Sequence, residues 1–201
     1  MPEPSKWQRI IEQNPQHSAW YADRFRQMEA RGDDIHGEAR FVDAMAPRGA
    51  RILDAGCGPG RLGPCLVAMG HEVVGVDVDP HLIEVANNER PGPTYLVGDL
   101  ATLDLPSAGI AEGFDVIMCA GHVMTFLAAS TRIEVLSRFA KHLRDRGRIA
   151  VGLGAGRGYE FADFFNDVQQ ADLVVDQNLS TWDLHPFTPD SDHLVSILRK
   201  R

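Results

Sequence analysis

Arg51-Ile52-Leu53-Asp54-Ala55-Gly56-Cys57-Gly58-Pro59-Gly60-Arg61-Leu62 is the stretch on which the fold turns. Ile52 and Leu53 read as the end of a buried strand. Glycines at 56, 58 and 60 let the backbone turn sharply beside a ligand with no side chain in the way. Asp54 stands just before the turn, and a second apolar run, residues 72–76, ends in Asp77. In doubly wound α/β folds an acidic residue about 20 positions past the glycines accepts hydrogen bonds from ribose hydroxyls. The combination predicts a strand–turn–helix unit that holds a nucleoside-bearing ligand.

Two ligands fit that loop. Gly58, Gly60 and Gly63 match the G-x-G-x-x-G spacing in which helix-terminal amides meet a pyrophosphate, so an NAD(P)-dependent oxidoreductase stays open. Against it, Asp54 places a carboxylate at the mouth of a site for a doubly anionic diphosphate, and only Arg61 offsets it in part. S-adenosylmethionine has no phosphate and carries a sulfonium and an ammonium, charges that Asp54 favours. The residues then resemble a known family. Asp54 to Gly60 looks like motif I of the class I, Rossmann-like S-adenosylmethionine-dependent methyltransferases. Val74-Gly75-Val76-Asp77 looks like their acidic second strand, and Gly98-Asp99-Leu100 like their adenine-side acidic loop. The resemblance runs in order from about Arg51 to the C-terminus.

It implies a doubly wound, mostly parallel seven-stranded sheet with an antiparallel C-terminal strand, preceded by an N-terminal helical extension. The cofactor is expected to be S-adenosylmethionine, held by Asp54, Gly56, Cys57, Gly58, Gly60, Arg61, Leu62, Asp77, Val78, Gly98, Asp99, Leu100 and Ala120. Asp99 has a second reading as the cap of the next turn. The resemblance implies methyl transfer to a small-molecule acceptor, with oxygen or nitrogen favoured over carbon. A non-catalytic S-adenosylmethionine sensor or partner-binding protein is the remaining alternative.

With 201 residues the chain is expected to be one domain, residues 1–46 forming a helical cap and 47–201 the core. A net charge of -8 offers no basic footprint for nucleic acid, whose phosphates it repels at long range. The first residues lack an apolar signal region and no run approaches a membrane span, which predicts a cytoplasmic protein with no membrane partner. Cys57, Cys65 and Cys119 are odd in number and form no C-x-x-C pair, so they read as reduced thiols. No metal-ligand cluster is legible, and oligomeric state is not.

In residues 1–46, Trp7, Ile10 and Ile11 read as one helix, and Trp20, Tyr21, Phe25 and Met28 as a second beyond the Asn14-Pro15 break. In the family it resembles, such helices cap the cofactor and shape the acceptor pocket. His17, Trp20, Tyr21 and Arg24 are therefore candidates to line the site, or else pack this extension onto the core. Asp79-Pro80 marks a helix start with Asp79 as N-cap, leaving Asp77 free for the ribose.

Residues 114–119 read as the fourth strand, and His122 follows in the loop that faces the acceptor in this fold. A histidine there can take a proton near neutral pH, or it can be a hydrogen-bonded structural residue. Residues 131–146 read as a helix opened by a Thr131-x-x-Glu134 capping box, its basic end at 144–148 solvated. Residues 152–158, rich in glycine, read as an active-site loop on which Arg157 meets an anionic acceptor, or as a flexible connection. Residues 173–184 and 193–199 read as a final strand pair whose alternation slips between Leu179 and Trp182, as a bulge would cause. Trp182 and His185 are placed at the acceptor's edge, with the core as the other reading for Trp182.

Overall fold

A computed structural model describes residues 2–110 and 113–201. Helices α1 (Lys6–Gln13), α2 (His17–Ala30) and α3 (Gly37–Met45) come first. There follow β1 (Arg51–Ala55), α4 (Gly63–Ala68), β2 (Glu72–Asp77), α5 (Pro80–Glu89) and β3 (Thr94–Val97). After two short 3-10 turns come β4 (Phe114–Cys119), α6 (Val123–Phe126), α7 (Arg132–His142), β5 (Leu143–Gly154), α8 (Phe161–Gln170), β6 (Leu173–Leu179) and β7 (His193–Lys200).

The seven strands form one sheet in the order β3-β2-β1-β4-β5-β7-β6. Pairs from β3 through β5 are parallel, and β7 runs antiparallel to both β5 and β6. The chain leaves β1 toward one edge and returns to β4 on its other side, so the carboxyl ends of these two strands border the crevice where open α/β sheets take ligands. This is the mostly parallel, doubly wound sheet with an antiparallel C-terminal strand that the family resemblance implies.

Strand alternation divides the core into two layers. Ile52, Val116, Met118 and Ala150 pack with Phe41, Val42 and Leu66 of α3 and α4. Leu53, Ile117, Cys119 and Ile149 pack on the other face with Leu136, Phe139 and Phe164 of α7 and α8. Because both faces are covered, the central strands are apolar along nearly their whole length. Each fully buried Leu, Ile or Phe contributes about 1.5–3 kcal/mol through burial. No helix among the described residues is long and apolar enough to cross a membrane.

The N-terminal helices dock through Asp79, which is 1% exposed at the start of α5. Its Oδ1 accepts from the backbone N–H of His81 at 2.9 Å, the expected cap. Its Oδ2 accepts from Trp7 Nε1 of α1 at 2.9 Å and from Ser18 Oγ of α2. One carboxylate thus caps one helix and ties two others to it. Trp7, Ala22, Leu82 and Val85 close a small apolar cluster beneath.

Several local expectations are corrected. The capping box is at Ser5, whose hydroxyl accepts from Gln8 N while Gln8 Oε1 accepts from Ser5 N. Thr131 forms none: its hydroxyl turns back to donate to Ala128 O at 2.9 Å, and Glu134 pairs with Arg138 one turn on. The helix ends at His142 rather than 146, because Leu143 already pairs with Phe114 and begins β5. Arg144 is drawn to Asp115 at 2.8 Å, so that part of the basic run has a partner. Gly152 and Gly154 are strand residues paired with Val195 and His193, so only 155–158 turns. The final irregularity lies between Val175 and Gln177, and the chain turns away after Leu179 with Ser180 N donating to His185 O. Trp182 sits in that turn against Gly152 and edge-on to Phe41, and His185 is exposed. Trp182 thus packs in the core layer of α3.

Candidate functional site

The glycine turn is built as a cradle. The backbone N–H groups of Gly56 and Cys57 both donate to Val76 O, which pins the turn to the end of β2. Gly56 and Gly58 have φ of 83° and 55°, a region that other residues occupy at a cost. A Cβ at Gly56 would lie 2.4 Å from a Val123 methyl. At Gly58 the space is open, with the Tyr21 ring 3.6 Å from the same construction. Gly60 is different: a Cβ there would strike the Tyr95 hydroxyl at 2.6 Å, so this glycine serves packing.

Asp77 closes the cradle. Its Oδ2 accepts from Gly58 N at 2.8 Å and its Oδ1 from Asp79 N at 2.9 Å. Burial pushes its pKa up to about 6, opposed by those two backbone donors. Asp54 lies deeper, 3% exposed, with no hydrogen-bond partner for Oδ2 among the described residues. Burial pushes it up to about 7, with Arg61 opposing and Asp77 adding to the rise. Arg61 does not pair with it: its guanidinium is held by the Glu38 carboxylate and the Ile35 carbonyl.

A cleft opens over this turn, walled by Trp7, Tyr21, Val78, Leu82, Leu100 and Phe126, with Gly58, Asp77 and Asp99 among its lining. Asp99 lines the cleft, and its Oδ1 caps the 100–102 turn through Ala101 N at 2.8 Å, the second of the two readings given for it. A smaller cavity adjoins, sharing Tyr21, Gly56, Gly58, Gly121 and Val123 with the cleft and lined further by Asp54, Cys57, Arg61, Leu62 and Ala120. Gly98 lines neither, and its N–H donates to Asp77 O.

Of the candidates on α2, the fold brings Tyr21 to the site. Trp20 is 58% exposed, Arg24 lies on the surface against Phe25, and His17 packs on Trp7 and Trp20 without reaching either cavity. The wall is made instead by Ser5 and Trp7, which the sequence reading passed over. The Ser5-x-x-Gln8 capping box was the available signal for where α1 starts, and with it which side of the helix Trp7 occupies. His122 also lines neither cavity. It sits in left-handed conformation, φ 63°, at the start of α6, its ring edge-on to His193 at 5.3 Å. Burial first, then Arg157 and His193, lower its pKa to about 4.

Residues 52–147 match the methyltransferase domain family. A TehB-like S-adenosylmethionine-dependent methyltransferase from Corynebacterium glutamicum has the same fold with a TM-score of 0.87 and is 46% identical, over 94% of this chain and 100% of that one. The chain belongs to the S-adenosylmethionine-dependent methyltransferases. The ubiquinone biosynthesis O-methyltransferase of Cereibacter sphaeroides is 40% identical over 82 residues, 39% of this chain and 32% of its own length. The magnesium-protoporphyrin O-methyltransferase of Rhodobacter capsulatus is 40% identical over 98 residues, 44% of each chain. This methyltransferase thus spans less than half the length of those curated relatives.

The residues of the methyltransferase's cleft fit the family's cofactor. Asp54 has a buried oxygen without a partner among the described residues, able to meet a cation directly or through water. Gly58 leaves room for a ligand to approach the backbone, and apolar walls flank the Asp77 and Asp99 carboxylates. A diphosphate would meet the Asp54 carboxyl with the nearest arginine already committed to Glu38.

Proposed function

We propose that this methyltransferase transfers a methyl group from S-adenosylmethionine to a small-molecule acceptor by in-line displacement. When bound, the cofactor supplies a methyl group already activated on a sulfonium, so the protein's task is positioning and exclusion of water. In this reading Gly56 and Gly58 receive the methionine part and Asp54 faces its ammonium. Asp77 accepts from the ribose hydroxyls, and Val78, Asp99 and Leu100 frame the adenine. Cys57, Leu62 and Ala120 wall the methionine side, Arg61 is held back by Glu38, and Gly60 and Gly98 shape the backbone around them.

The observation that carries the reading is the unpartnered Asp54 oxygen behind a glycine turn that Asp77 braces through Gly58. It suits a cationic nucleoside, and the likeness to the two O-methyltransferases supports an oxygen acceptor. The acidic surface supports a small acceptor over a nucleic acid. Three free cysteines support a reducing, cytoplasmic setting. The test is formation of S-adenosylhomocysteine from S-adenosylmethionine with a panel of small hydroxyl, carboxyl and amine acceptors. Turnover with one of them supports the reading. Tight cofactor binding with no turnover on any acceptor would favour a sensor.

A further inference from the structure

Three side chains from three separate elements converge over Gly154. His122 starts α6 at the carboxyl end of β4, Arg157 lies on the turn after β5, and His193 opens β7. Gly154 pairs with His193 in the β5–β7 ladder. A Cβ on Gly154 would lie 3.0 Å from Arg157 Nε and 3.1 Å from His122 Cε1, so the missing side chain is what lets these two meet. The His193 ring stands edge-on to that of His122 at 5.3 Å. Ala155 N donates to Asp192 O at 2.8 Å, which ties the turn bearing Arg157 to the residue before His193.

The cluster stands at the carboxyl edge of the sheet, where β4 and β5 end, and none of its three side chains lines either cavity. Gly152, two residues before Gly154, meets Trp182, which packs in the same core layer as Leu62 and Ala120 of the smaller cavity's wall. His122 follows Gly121, which lines both cavities. Arg157 makes no ion pair or hydrogen bond among the described residues, and Nδ1 of His122 is buried without a partner. Burial holds both imidazoles below their ordinary pKa, hence neutral near pH 7, with Arg157 adding to the effect and Glu38 opposing it. Asp192 also faces His193 and favours its charged form, while Glu38 is itself occupied by Arg61. An uncommitted guanidinium beside two neutral imidazoles offers a cation and N–H donors to one ligand, the donor set for a carboxylate.

We propose that His122, His193 and Arg157 form the acceptor subsite, and that it takes a small organic acid whose carboxylate pairs with Arg157 while the imidazole N–H groups meet its oxygens. The proposal rests on the methyltransferase reading and narrows its acceptor to a class. His193, which no sequence motif marked, becomes an acceptor-binding residue alongside His122 and Arg157.

The test follows the imidazole resonances of histidine-labelled protein during titration with benzoate, phenylacetate and malonate, each against its neutral amide, with and without saturating S-adenosylhomocysteine. At least one acid should shift the His122 and His193 signals saturably while the amides do not. Arg157→Ala should weaken that acid at least tenfold and leave S-adenosylhomocysteine affinity within twofold, and Arg157→Lys should recover part of the loss. His193→Gln should weaken the acid with the His122 signal otherwise in place. If no acid moves either imidazole, or if Arg157→Ala binds the acid as well as the unaltered protein does, the subsite is refuted. Absence of S-adenosylhomocysteine binding with the acid response intact would instead count against the cofactor reading alone.

Discussion

Asp54→Asn isolates the buried carboxyl behind the glycine turn. Burial raises its pKa from an ordinary 3.8 to about 7, so the native state keeps a proton that the unfolded chain releases above pH 3.8. The native state therefore binds more protons in that window, and stability falls as pH rises from about 4 to about 7 and levels off beyond. At 1.36 kcal/mol per pH unit the full penalty at pH 8 is roughly 4 kcal/mol, of which roughly 3 kcal/mol accrues between pH 5 and pH 8. Asparagine has the same shape and no proton to lose. The cofactor-free variant should gain up to roughly 3 kcal/mol over the unaltered protein on going from pH 5 to pH 8. Urea unfolding followed by circular dichroism at pH 5, 6.5 and 8 measures the difference, and other groups cancel between the two proteins. The same variant should lose affinity for S-adenosylhomocysteine, because the anion that meets its ammonium is gone. Stability curves that stay parallel from pH 5 to pH 8 would refute the reasoning.

Asp79→Asn keeps an oxygen to cap α5 but replaces the acceptor shared by Trp7 Nε1 and Ser18 Oγ, so it should cost about 1–3 kcal/mol and weaken cofactor binding, read by thermal melts and titration. Gly56→Ala places a methyl 2.4 Å from Val123 at a φ of 83°, and should lower stability by about 1–3 kcal/mol and abolish S-adenosylhomocysteine binding; unchanged affinity would mean the turn is not the cradle. Trp7→Ala should weaken cofactor binding at least tenfold, whereas Trp20→Ala, at a side chain 58% exposed, should leave it unaltered; equal losses would contradict the placement of α1 on the cleft.

The strands that border the site were legible because their information is local, while their order in one sheet came from the family resemblance. Residues 51–55, 72–77 and 114–119 are apolar runs that end in Asp or in a glycine turn, and the Asp79-Pro80 cap needs only its own neighbours. What escaped the sequence depends on distant partners. Trp7 is set by a hydrogen bond to a carboxylate 72 residues away, and Trp20, of the same residue type on a similar helix, is left outside. Thr131 to Arg146 carries a sound helical pattern, yet strand pairing of Leu143 with Phe114 overrides its last turn. Gly152 and Gly154 look like loop residues until Trp182, His122 and Arg157 are seen filling the space above them. At the site, Arg61 was read as a counter-charge to Asp54 because Glu38, its partner, lies on a helix whose position no short motif records.

Calorimetric titration with S-adenosylhomocysteine, NAD as the parallel titrant, and Asp77→Ala as the control tests the central claim most directly. The account predicts saturable one-to-one binding of S-adenosylhomocysteine, no heat from NAD, and loss of binding in the variant, whose folded state is checked by its melt. Binding of NAD alone, or an Asp77→Ala protein that binds S-adenosylhomocysteine with unchanged affinity, would contradict it.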